Sequence, residues 1–507
     1  MILIMSDRRI DREISRLLNY GLQKGLLTPE DETYAANRLL HVLGAASFEK
    51  QEIEEELPYP AEPLAELCCW AAEQGLIPAD SQDARDRFDT ELMDCLMPRP
   101  SQVIERFYDL YEQDKRAATD YYYGLSKASN YIRVDRVERD KLWTAPTPYG
   151  DLVITINLSK PEKDPKAIAA AKNAPQTGYP KCALCRENEG FSGSPNQAAR
   201  ANHRLIPLEL RGERWFLQYS PYVYYNEHCI VLSEQHRPMQ VNRASMERLL
   251  EFVTVLPHYF IGSNADLPIV GGSILSHDHF QGGNYEFPMA KAPLRENVTF
   301  PGYEAVKAGI VHWPMSVLRL RSADKEKLID LADAILTKWR GYFDESADIL
   351  AFTGDVPHNT VTPIARRRGE EFELDLVLRN NRTTEEHPLG LFHPHGEYHH
   401  IKKENIGLIE VMGLAILPPR LLTEIGQMEE AFAHPEQARE IFSRPEMEKH
   451  RDWYEELKSV GVQNETAGPA IRDSIGEIFG KILGNAGVYK DTEAGREAFR
   501  RFCRSVL

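Results

Sequence analysis

The N-terminal part of the chain carries apolar residues with the period of an α-helix. They recur at Ile10, Ile14, Leu17, Leu18 and Leu22. This spacing places them on one side of a helix. Further on, Thr28 precedes Pro29, which is typical of a helix start because threonine caps the first turn and proline fits within it. We therefore predict that residues 1–125 form a helical N-terminal extension.

Two short segments of this extension resemble each other. Residues 25–31 read GLLTPED, residues 75–80 read GLIPAD, and a helix-like segment follows each of them. Two related helical hairpins would explain the resemblance, but two unrelated turns of similar chemistry would look the same. The sequence leaves both interpretations open.

Beyond the extension the pattern becomes a mixture of strands and helices. The stretch from 130 to 235 is rich in strand-like segments, and such segments include residues 151–157, 349–353 and 372–378. Helical spacing marks residues 243–260 and 325–343, and it returns from Leu421 onward. Residues 160–176, rich in proline, lysine and alanine, are expected to form a mobile loop. This mixture predicts an α+β fold.

The most informative polar positions are His277, His279 and Gln281. Paired glycines flank this row, and apolar residues precede it at Ile269, Val270, Ile274 and Leu275. This pattern predicts a strand. Successive side chains of a strand point to opposite faces, so the two imidazoles and the amide would share one face. Surface strands rarely carry three such polar positions, and we interpret the row as catalytic.

Residue chemistry alone allows three roles for this row. A neutral imidazole is nucleophilic near pH 7, and an amide donates to phosphoryl oxygens without titrating, which suits covalent group transfer. Alternatively, His277 and His279 could chelate one metal ion that keeps an open coordination position, as in a hydrolytic site. In the third interpretation the histidines only form hydrogen bonds within a core.

A second signal is the Cys-x-x-Cys motif at Cys182 and Cys185. The spacing suits one metal ion, but by itself it is equally compatible with redox chemistry. The redox interpretation requires a helix N-terminus in a thioredoxin-like context, and the sequence indicates neither. The metal interpretation requires further ligands. A strand-like segment later in the chain ends at a histidine, His236.

Composition limits the possible partners. The formal net charge of −17 argues against a general nucleic-acid surface, which requires a basic footprint. Seven cysteines fit a reducing cytoplasm, and no apolar run has the length of a membrane span. Anionic substrates would have to rely on local cations, and these cluster in sequence at Arg366, Arg367, Arg368, Arg379, Arg382, Lys402 and Lys403.

Together, the His-x-His-x-Gln row, the Cys-x-x-Cys motif and the strand that ends at His236 resemble the signature of the hexose-1-phosphate uridylyltransferases. This family is a branch of the histidine-triad superfamily, and the resemblance extends over about residues 145–420. Asp278 and Phe280 within the row, together with the helical extension, resemble the second class of these enzymes, which is found in Gram-positive bacteria.

The resemblance implies a role for each candidate residue. His279 would be the nucleophile that attacks the α phosphorus of UDP-glucose, and Gln281 would donate a hydrogen bond to a phosphoryl oxygen. Asn264 would contact the nucleotide, Lys403 the substrate phosphate and Glu410 a hexose hydroxyl. A closed, structural zinc ion would be held by Cys182, Cys185, His236 and His277.

The resemblance also implies a fold and a reaction. The fold would be an antiparallel half-barrel of two histidine-triad-like halves with flanking helices, divided into residues 1–125, 126–300, 301–420 and 421–507. The reaction would be a ping-pong exchange that converts galactose 1-phosphate to UDP-galactose, with a homodimer as the expected assembly. A related nucleotide phosphorylase or adenylyltransferase is the alternative, because the base pocket cannot be identified from the sequence.

Overall fold

The computed structural model describes residues 8–77, 81–158, 178–194 and 197–507. Its helices are, in chain order, α1 (Arg8–Gln23), α2 (Glu32–Leu43), α3 (Ala61–Glu73), α4 (Gln82–Asp94), α5 (Pro100–Tyr111), α6 (Lys115–Ala128), α7 (Val134–Val137), α8 (Arg243–Val255), α9 (Pro288–Lys291), α10 (Lys325–Arg340), α11 (Leu408–Val411), α12 (Arg420–Ala433), α13 (Ala438–Ile441), α14 (Arg451–Ser459), α15 (Asn464–Ala486) and α16 (Glu493–Arg504).

The strands are, in chain order, β1 (Lys141–Ala145), β2 (Leu152–Ile156), β3 (Ile206–Leu210), β4 (Glu213–Tyr219), β5 (Cys229–Ser233), β6 (Phe260–Gly262), β7 (His279–Gly283), β8 (Leu294–Val298), β9 (Lys307–Val311), β10 (Val317–Ser322), β11 (Phe352–Thr353), β12 (Val356–Pro357), β13 (Asn359–Arg368), β14 (Glu371–Asn380) and β15 (Leu414–Leu417). The predicted mixture of helices and strands is therefore confirmed. The loop predicted at 160–176 lies outside the described residues. Among the described residues, none of the helices combines the length and the apolar character that a membrane span requires.

The chain forms two compact units, and the first consists of residues 1–139, 159–223 and 227–236. It contains α1 to α7 and an antiparallel sheet in the order β3-β4-β5. As the helical spacing predicts, the buried side of α1 includes Ile10, Ile14, Leu17 and Leu18. The helix start predicted at Thr28 is a short 3-10 turn, in which the Thr28 hydroxyl donates to the Asp31 carboxylate at 2.8 Å.

Two similar helical hairpins are present in this unit, formed by α1 with α2 and by α3 with α4. Two residues after each first helix ends, a glycine has a positive φ, which is 69° at Gly25 and 73° at Gly75. The N–H of the next residue, Leu26 or Leu76, then donates to the carbonyl five positions earlier at 2.9 Å. Of the two interpretations of the internal resemblance, the structure favours related hairpins.

The second unit consists of residues 140–158, 224–226 and 237–507. Its large sheet is antiparallel throughout, in the order β7-β6-β13-β14-β10-β9-β8. In a smaller sheet, β2 lies between β1 and β15 and pairs in parallel with β15. A large apolar core extends from the smaller sheet to the C-terminal helices.

Two predicted elements are shorter than expected. The helix expected over 243–260 ends at Val255, because Pro257 disfavours a helical conformation at the residue before it. Phe260 then begins β6. The strand expected over 349–353 is present only at Phe352–Thr353. The helix expected over 325–343 and the strand expected over 372–378 are confirmed as α10 and β14.

Charged side chains are buried in the middle of the large sheet. Glu373 and Asp375 of β14 have fully buried side chains. Arg366 lies opposite Glu373 and donates to it at 2.6 Å, and Arg319 lies opposite Asp375 and donates to it at 2.7 Å. Burial alone would raise the pKa of both carboxyl groups, but the two guanidiniums outweigh it and keep both pKa values below their ordinary range. Arg366 therefore pairs with carboxylates inside the sheet and is not available to bind substrate.

Two glycine substitutions test how closely α15 packs on β1. A Cβ added to Gly476 of α15 would lie 2.1 Å from the Cβ of Ala145, whereas one added to Gly426 of α12 would meet nothing within 4 Å. We expect Gly476→Ala to cost about 1–3 kcal/mol of stability through overpacking. Gly426→Ala should gain about 0.5–1 kcal/mol, because alanine loses less backbone entropy in a helix. Urea midpoints followed by circular dichroism check both, and equal shifts in one direction would contradict the packing described.

Candidate active site and metal-ligand cluster

The strand that carries the predicted nucleophile is shorter than the sequence suggested. It covers only His279–Gly283, so the prediction of a strand that includes His277 is wrong. His279 and Gln281, two positions apart within the strand, share one face. His277 lies before the strand and is fully buried. The alternation of side chains along the strand therefore does not place it on that face.

The backbone before His277 cannot extend because it makes close turns. Ile269 has a φ of 73°, which lies in the left-handed region rather than in the strand region. At Gly271 an added Cβ would lie 2.5 Å from the carbonyl oxygen of Ala265, and at Gly272 it would lie 2.7 Å from Nδ2 of Asn264. The first pair of glycines therefore allows the chain to pass close to Asn264. This close approach requires a turn, and the turn interrupts the strand that the sequence predicted.

His279 is held in one tautomer. Its Nδ1 lies 2.7 Å from the carbonyl oxygen of His277. A carbonyl can only accept a hydrogen bond, so Nδ1 carries the proton and Nε2 carries the lone pair. Nε2 makes no hydrogen bond with any described residue. Burial lowers the pKa of His279 to about 4, so the imidazole is neutral at physiological pH. A buried, neutral imidazole with a free Nε2 has the properties of a nucleophile.

A residue that the sequence analysis missed fixes the turn before this strand. The Arg237 side chain pairs with the Asp278 carboxylate, with Nε 3.3 Å from Oδ2. The Asp278 N–H donates to the Arg237 carbonyl at 2.7 Å, and the Met239 N–H donates to the Leu275 carbonyl at 2.9 Å. The segment at 237–239 therefore anchors the histidine row. The arginine directly after His236 was the only sequence signal for this contact.

A second segment approaches β7, the strand of the predicted nucleophile, at a glycine. Gly262 of β6 lies opposite Gln281 of β7. A Cβ added to Gly262 would lie 2.9 Å from Cδ1 of Leu408 and 3.1 Å from Cγ1 of Ile364. Only glycine leaves room there for α11, which contains Leu408 and the predicted hexose ligand Glu410. The structure thus brings the strand pair of the nucleophile and the predicted sugar-binding segment together.

Asn264 contributes to the same junction. Its side chain is buried, and its Oδ1 accepts the backbone N–H of Leu408 at 2.9 Å. Asn264 therefore holds the first turn of α11 next to β6. The nucleotide contact predicted for Asn264 stays a prediction, with the Nδ2 group beside Gly272 as the donor available for it.

Glu410 is buried, and both of its carboxylate oxygens have a partner that fixes their orientation. Its Oε1 lies 2.6 Å from Nζ of Lys402, and its Oε2 accepts the Gly407 N–H at 3.0 Å. Lys402 is buried as well, and its Nζ also lies 3.3 Å from the carbonyl oxygen of Ile416. A carboxylate has about four lone-pair positions, so Glu410 can still accept a substrate hydroxyl.

The two adjacent lysines therefore have different environments. Lys403 is exposed, and its backbone N–H donates to the Glu404 carboxylate at 3.3 Å. A solvated ammonium suits the phosphate contact predicted for Lys403, whereas Lys402 is an internal ion-pair partner. The family resemblance assigned the phosphate contact to Lys403, but the sequence carried no signal that the adjacent Lys402 is buried.

Arg379 lies beneath the same segment. It is buried, its Nη2 donates to the carbonyl of Ile406 at 2.8 Å, and its Nε has no hydrogen-bond partner. Burial lowers the pKa of Arg379 to about 10, and the charge of Glu410 acts in the opposite direction.

The guanidinium of Arg367, another cation of the sequence cluster, stacks on the ring of Phe372. Most of the cations that cluster in the sequence thus make separate contacts within the protein, whereas Lys403 is exposed.

The first unit contains a cluster of metal-ligand side chains. Ligand atoms of Cys182, Cys185 and His236 lie within 4.8 Å of one another, which is close enough for them to hold one metal ion. The two Sγ atoms are 3.6 Å apart, and Sγ of Cys185 is 3.2 Å from Nδ1 of His236. Burial raises the pKa of the Cys182 thiol to about 11, so a bound cation would be needed to keep it ionised at neutral pH.

The backbone around the two thiols favours a metal over a redox site. Only a short 3-10 turn at Arg186–Asn188 follows Cys185, rather than the helix that a redox motif requires. The Leu184 N–H points to Sγ of Cys182 at 3.4 Å, and Asn188 donates to both cysteine carbonyls at 2.8 and 2.7 Å. Within the described residues, no group of three or more ligand side chains includes His279.

Two family models match the chain. Residues 25–238 match the model described as "Galactose-1-phosphate uridyl transferase, N-terminal domain", and residues 252–454 match the model of the C-terminal domain. These matches cover both the cysteine cluster and the histidine row.

Relatives named galactose-1-phosphate uridylyltransferase match nearly the whole chain. The protein of Clostridium acetobutylicum is 52% identical, over 97% of this chain and 99% of that protein. The Bacillus subtilis protein is 51% identical, over 97% of each. Among solved structures, yeast Ap4A phosphorylase matches with a TM-score of 0.33 and 12% identity, over 64% of this chain and 90% of that chain. That score is too low to support an argument about the fold.

The different environments of the two lysines give a test of this site. Lys402→Met should leave Glu410 charged, buried and unpaired, which costs about 3–5 kcal/mol. Lys403→Met is the matched control and should change stability by less than about 0.5 kcal/mol, because the side chain is exposed. Urea midpoints of both variants measure the difference. Similar midpoints for the two would show that Lys402 is not the buried partner.

Proposed function

The chain belongs to the galactose-1-phosphate uridylyltransferase family, and we propose that it transfers the uridylyl group of UDP-glucose to galactose 1-phosphate through a covalent His279 intermediate. The enzyme is a nucleotidyltransferase of galactose metabolism. The observation that carries the mechanism is the tautomer of His279, whose protonated Nδ1 leaves Nε2 as the nucleophilic atom. The alternative function, that of a nucleotide phosphorylase or adenylyltransferase, is less favoured, because both family models that match the chain describe uridyl transferases.

In the first step, Nε2 of His279 attacks the α phosphorus of UDP-glucose. A phosphorus–nitrogen bond forms, the bond from phosphorus to the bridging oxygen breaks, and glucose 1-phosphate leaves with the bonding electrons. The imidazole gains positive charge as this bond forms. The carbonyl of His277 accepts the Nδ1 hydrogen bond and stabilises that charge.

In the second step, a phosphate oxygen of galactose 1-phosphate attacks the same phosphorus. The phosphorus–nitrogen bond breaks, UDP-galactose is released, and His279 regains its lone pair. Gln281, on the same strand face, would donate to a phosphoryl oxygen in both steps. An amide neither donates nor removes a proton, so it gives water no acid or base with which to hydrolyse the intermediate.

The substrate contacts are proposed on the arrangement around α11. Lys403 would bind the phosphate of the hexose 1-phosphate, Glu410 would accept a sugar hydroxyl, and Asn264 would contact the nucleotide. The buried contacts of Glu410 and Asn264 support these roles, because preorganised groups lose little entropy when substrate binds.

For the metal cluster we propose a structural zinc ion. Two thiolates and an imidazole are preferred zinc ligands, and His277 would complete a closed tetrahedral set with Cys182, Cys185 and His236. When bound, zinc would keep both thiols ionised and fix the residues that precede the catalytic strand.

The finer features of the fold and assembly are proposed on the family relationship. They are a half-barrel of two histidine-triad-like halves, the divisions at residues 125, 300 and 420, and a homodimer. A cytoplasmic location agrees with the free cysteines of the described residues, which a reducing compartment maintains.

The covalent intermediate is tested by incubating the protein with UDP-glucose alone. We expect mass spectrometry to show a uridylyl adduct on the peptide that contains His279, and the adduct should disappear when galactose 1-phosphate is added. His279→Ala should form no adduct, while the control His434→Ala, at an exposed histidine, should behave as wild type. Gln281→His should raise the rate at which UDP-glucose is hydrolysed relative to the rate of uridylyl transfer. Turnover by His279→Ala at more than about 1% of wild type would refute the assignment.

The zinc site is tested by elemental analysis of the purified protein. We expect about one zinc ion per chain. Cys185→Ser should lose the metal and lower the melting temperature, whereas Cys503→Ser, at another buried cysteine, should retain the metal. Wild-type protein that holds no zinc and keeps full activity after chelation would rule out the metal site without affecting the role of His279.

A further inference from the structure

A cavity of about 850 Å³ lies at the end of the large sheet opposite β7. Its lining comes from β8, β9, β10 and α9, from Arg368 at the end of β13 and from the connecting segments, and it includes none of the residues assigned to uridylyl transfer. Neighbouring strands are about 4.8 Å apart, so β7 and β8 are on the order of 25–30 Å apart along the sheet. Pockets for small molecules measure roughly 300–1,000 Å³, and this cavity falls in that range.

The charged side chains that line the cavity are mainly positive. Four cations, Lys291, Lys307, Arg321 and Arg368, are accompanied in the lining by two carboxylates, Glu286 and Glu304. Lys307 also pairs with Glu371, outside the lining, at 2.8 Å, and Arg368 pairs with Glu286 at 2.7 Å. Beneath them, Arg319 and Arg366 neutralise the buried Glu373 and Asp375. A local excess of positive charge in a chain of net charge −17 favours an anionic ligand.

Several hydrogen-bond donors of the lining are available to a ligand. The side chains of Lys291, Asn297 and Thr299 are on exposed residues and form no hydrogen bond or ion pair within the described part of the chain. Arg321 directs Nε and Nη2 to Glu373, which leaves Nη1 without a partner there. An ammonium, a guanidinium, an amide and a hydroxyl are the groups that bind phosphate and sugar hydroxyl oxygens.

The wall of α9 is already in place without a ligand. Arg319 donates to the carbonyls of Met289 and Ala292 at 2.8 and 3.0 Å, and Arg368 donates to the carbonyl of Ala290 at 3.0 Å. These bonds fix the backbone that carries Lys291. A preformed wall reduces the entropy that a ligand loses on binding.

Apolar side chains form the remainder of the lining, among them Ala290, Ala292, Leu294, Val298, Val306 and Ala308. They offer contact area to a ring, which inorganic phosphate alone would not use. We propose that this cavity is a second binding site for a phosphorylated sugar or nucleoside, separate from the site of uridylyl transfer. The phosphate would lie at Lys291 and Arg321, and the ring against the apolar wall.

Isothermal titration calorimetry of the full-length protein tests this proposal with three probes: inorganic phosphate, glucose 6-phosphate and adenosine 5′-monophosphate. At least one of the two esters should bind at least tenfold more tightly than inorganic phosphate, and the tighter ester shows whether the ring is a sugar or a nucleoside. Lys291→Glu and Thr299→Glu should each weaken ester binding at least tenfold. Both positions are exposed, so folding should be unaffected.

The controls separate this cavity from the transfer site and from general charge effects. Lys458→Glu makes the same charge change on an exposed face of α14 and should alter ester binding less than twofold. Lys403→Ser, at the proposed substrate contact, should also leave ester binding within twofold of wild type. The proposal is overturned if neither ester binds, if inorganic phosphate binds as tightly as both esters, if both cavity variants bind as wild type, or if Lys403→Ser abolishes binding.

Discussion

The chemistry proposed for this protein depends on one hydrogen bond, from Nδ1 of His279 to the carbonyl of His277. That bond selects the tautomer with a free Nε2, and in the proposed mechanism it would stabilise the charge that develops on the ring. It requires His277 to lie just outside the strand, with its carbonyl turned back toward His279. The turns between Ile269 and Asp278, and the Arg237 contacts that anchor them, therefore position the proposed nucleophile.

Polar groups near the proposed site are buried in pairs, one of which joins distant parts of the chain while the other lies within a single segment. Asn264 accepts the N–H of Leu408, and Lys402 faces Glu410. Because an unpaired buried charge is costly, each partner restricts where the other can lie. This arrangement fixes α11 beside Gly262, so the segment proposed to bind the sugar is positioned before substrate arrives.

The sequence predicted what depends on local pattern and on motif chemistry. The helix at Ile10 to Leu22, the strand at 151–157 and the grouping of Cys182 with Cys185 and His236 all follow from spacing or from family motifs. Turn geometry and burial were not accessible in this way. The left-handed backbone at Ile269 interrupts an apolar run that otherwise looks like a strand. Only the fold shows that Lys402 is buried while Lys403 is exposed.

The parallel pairing of β2 with β15 has a consequence for how the chain acquires its structure. Val153 is paired with Leu414, and α15, which packs on β1 at Gly476, begins only at Asn464. During synthesis, more than half of the chain must therefore be made after the β1–β2 hairpin before its partners, β15 and α15, are available to pack on it. Contacts of such long sequence separation form slowly and leave apolar strand surface exposed in the meantime. Chains truncated before α15 would keep this surface exposed and would be prone to aggregation.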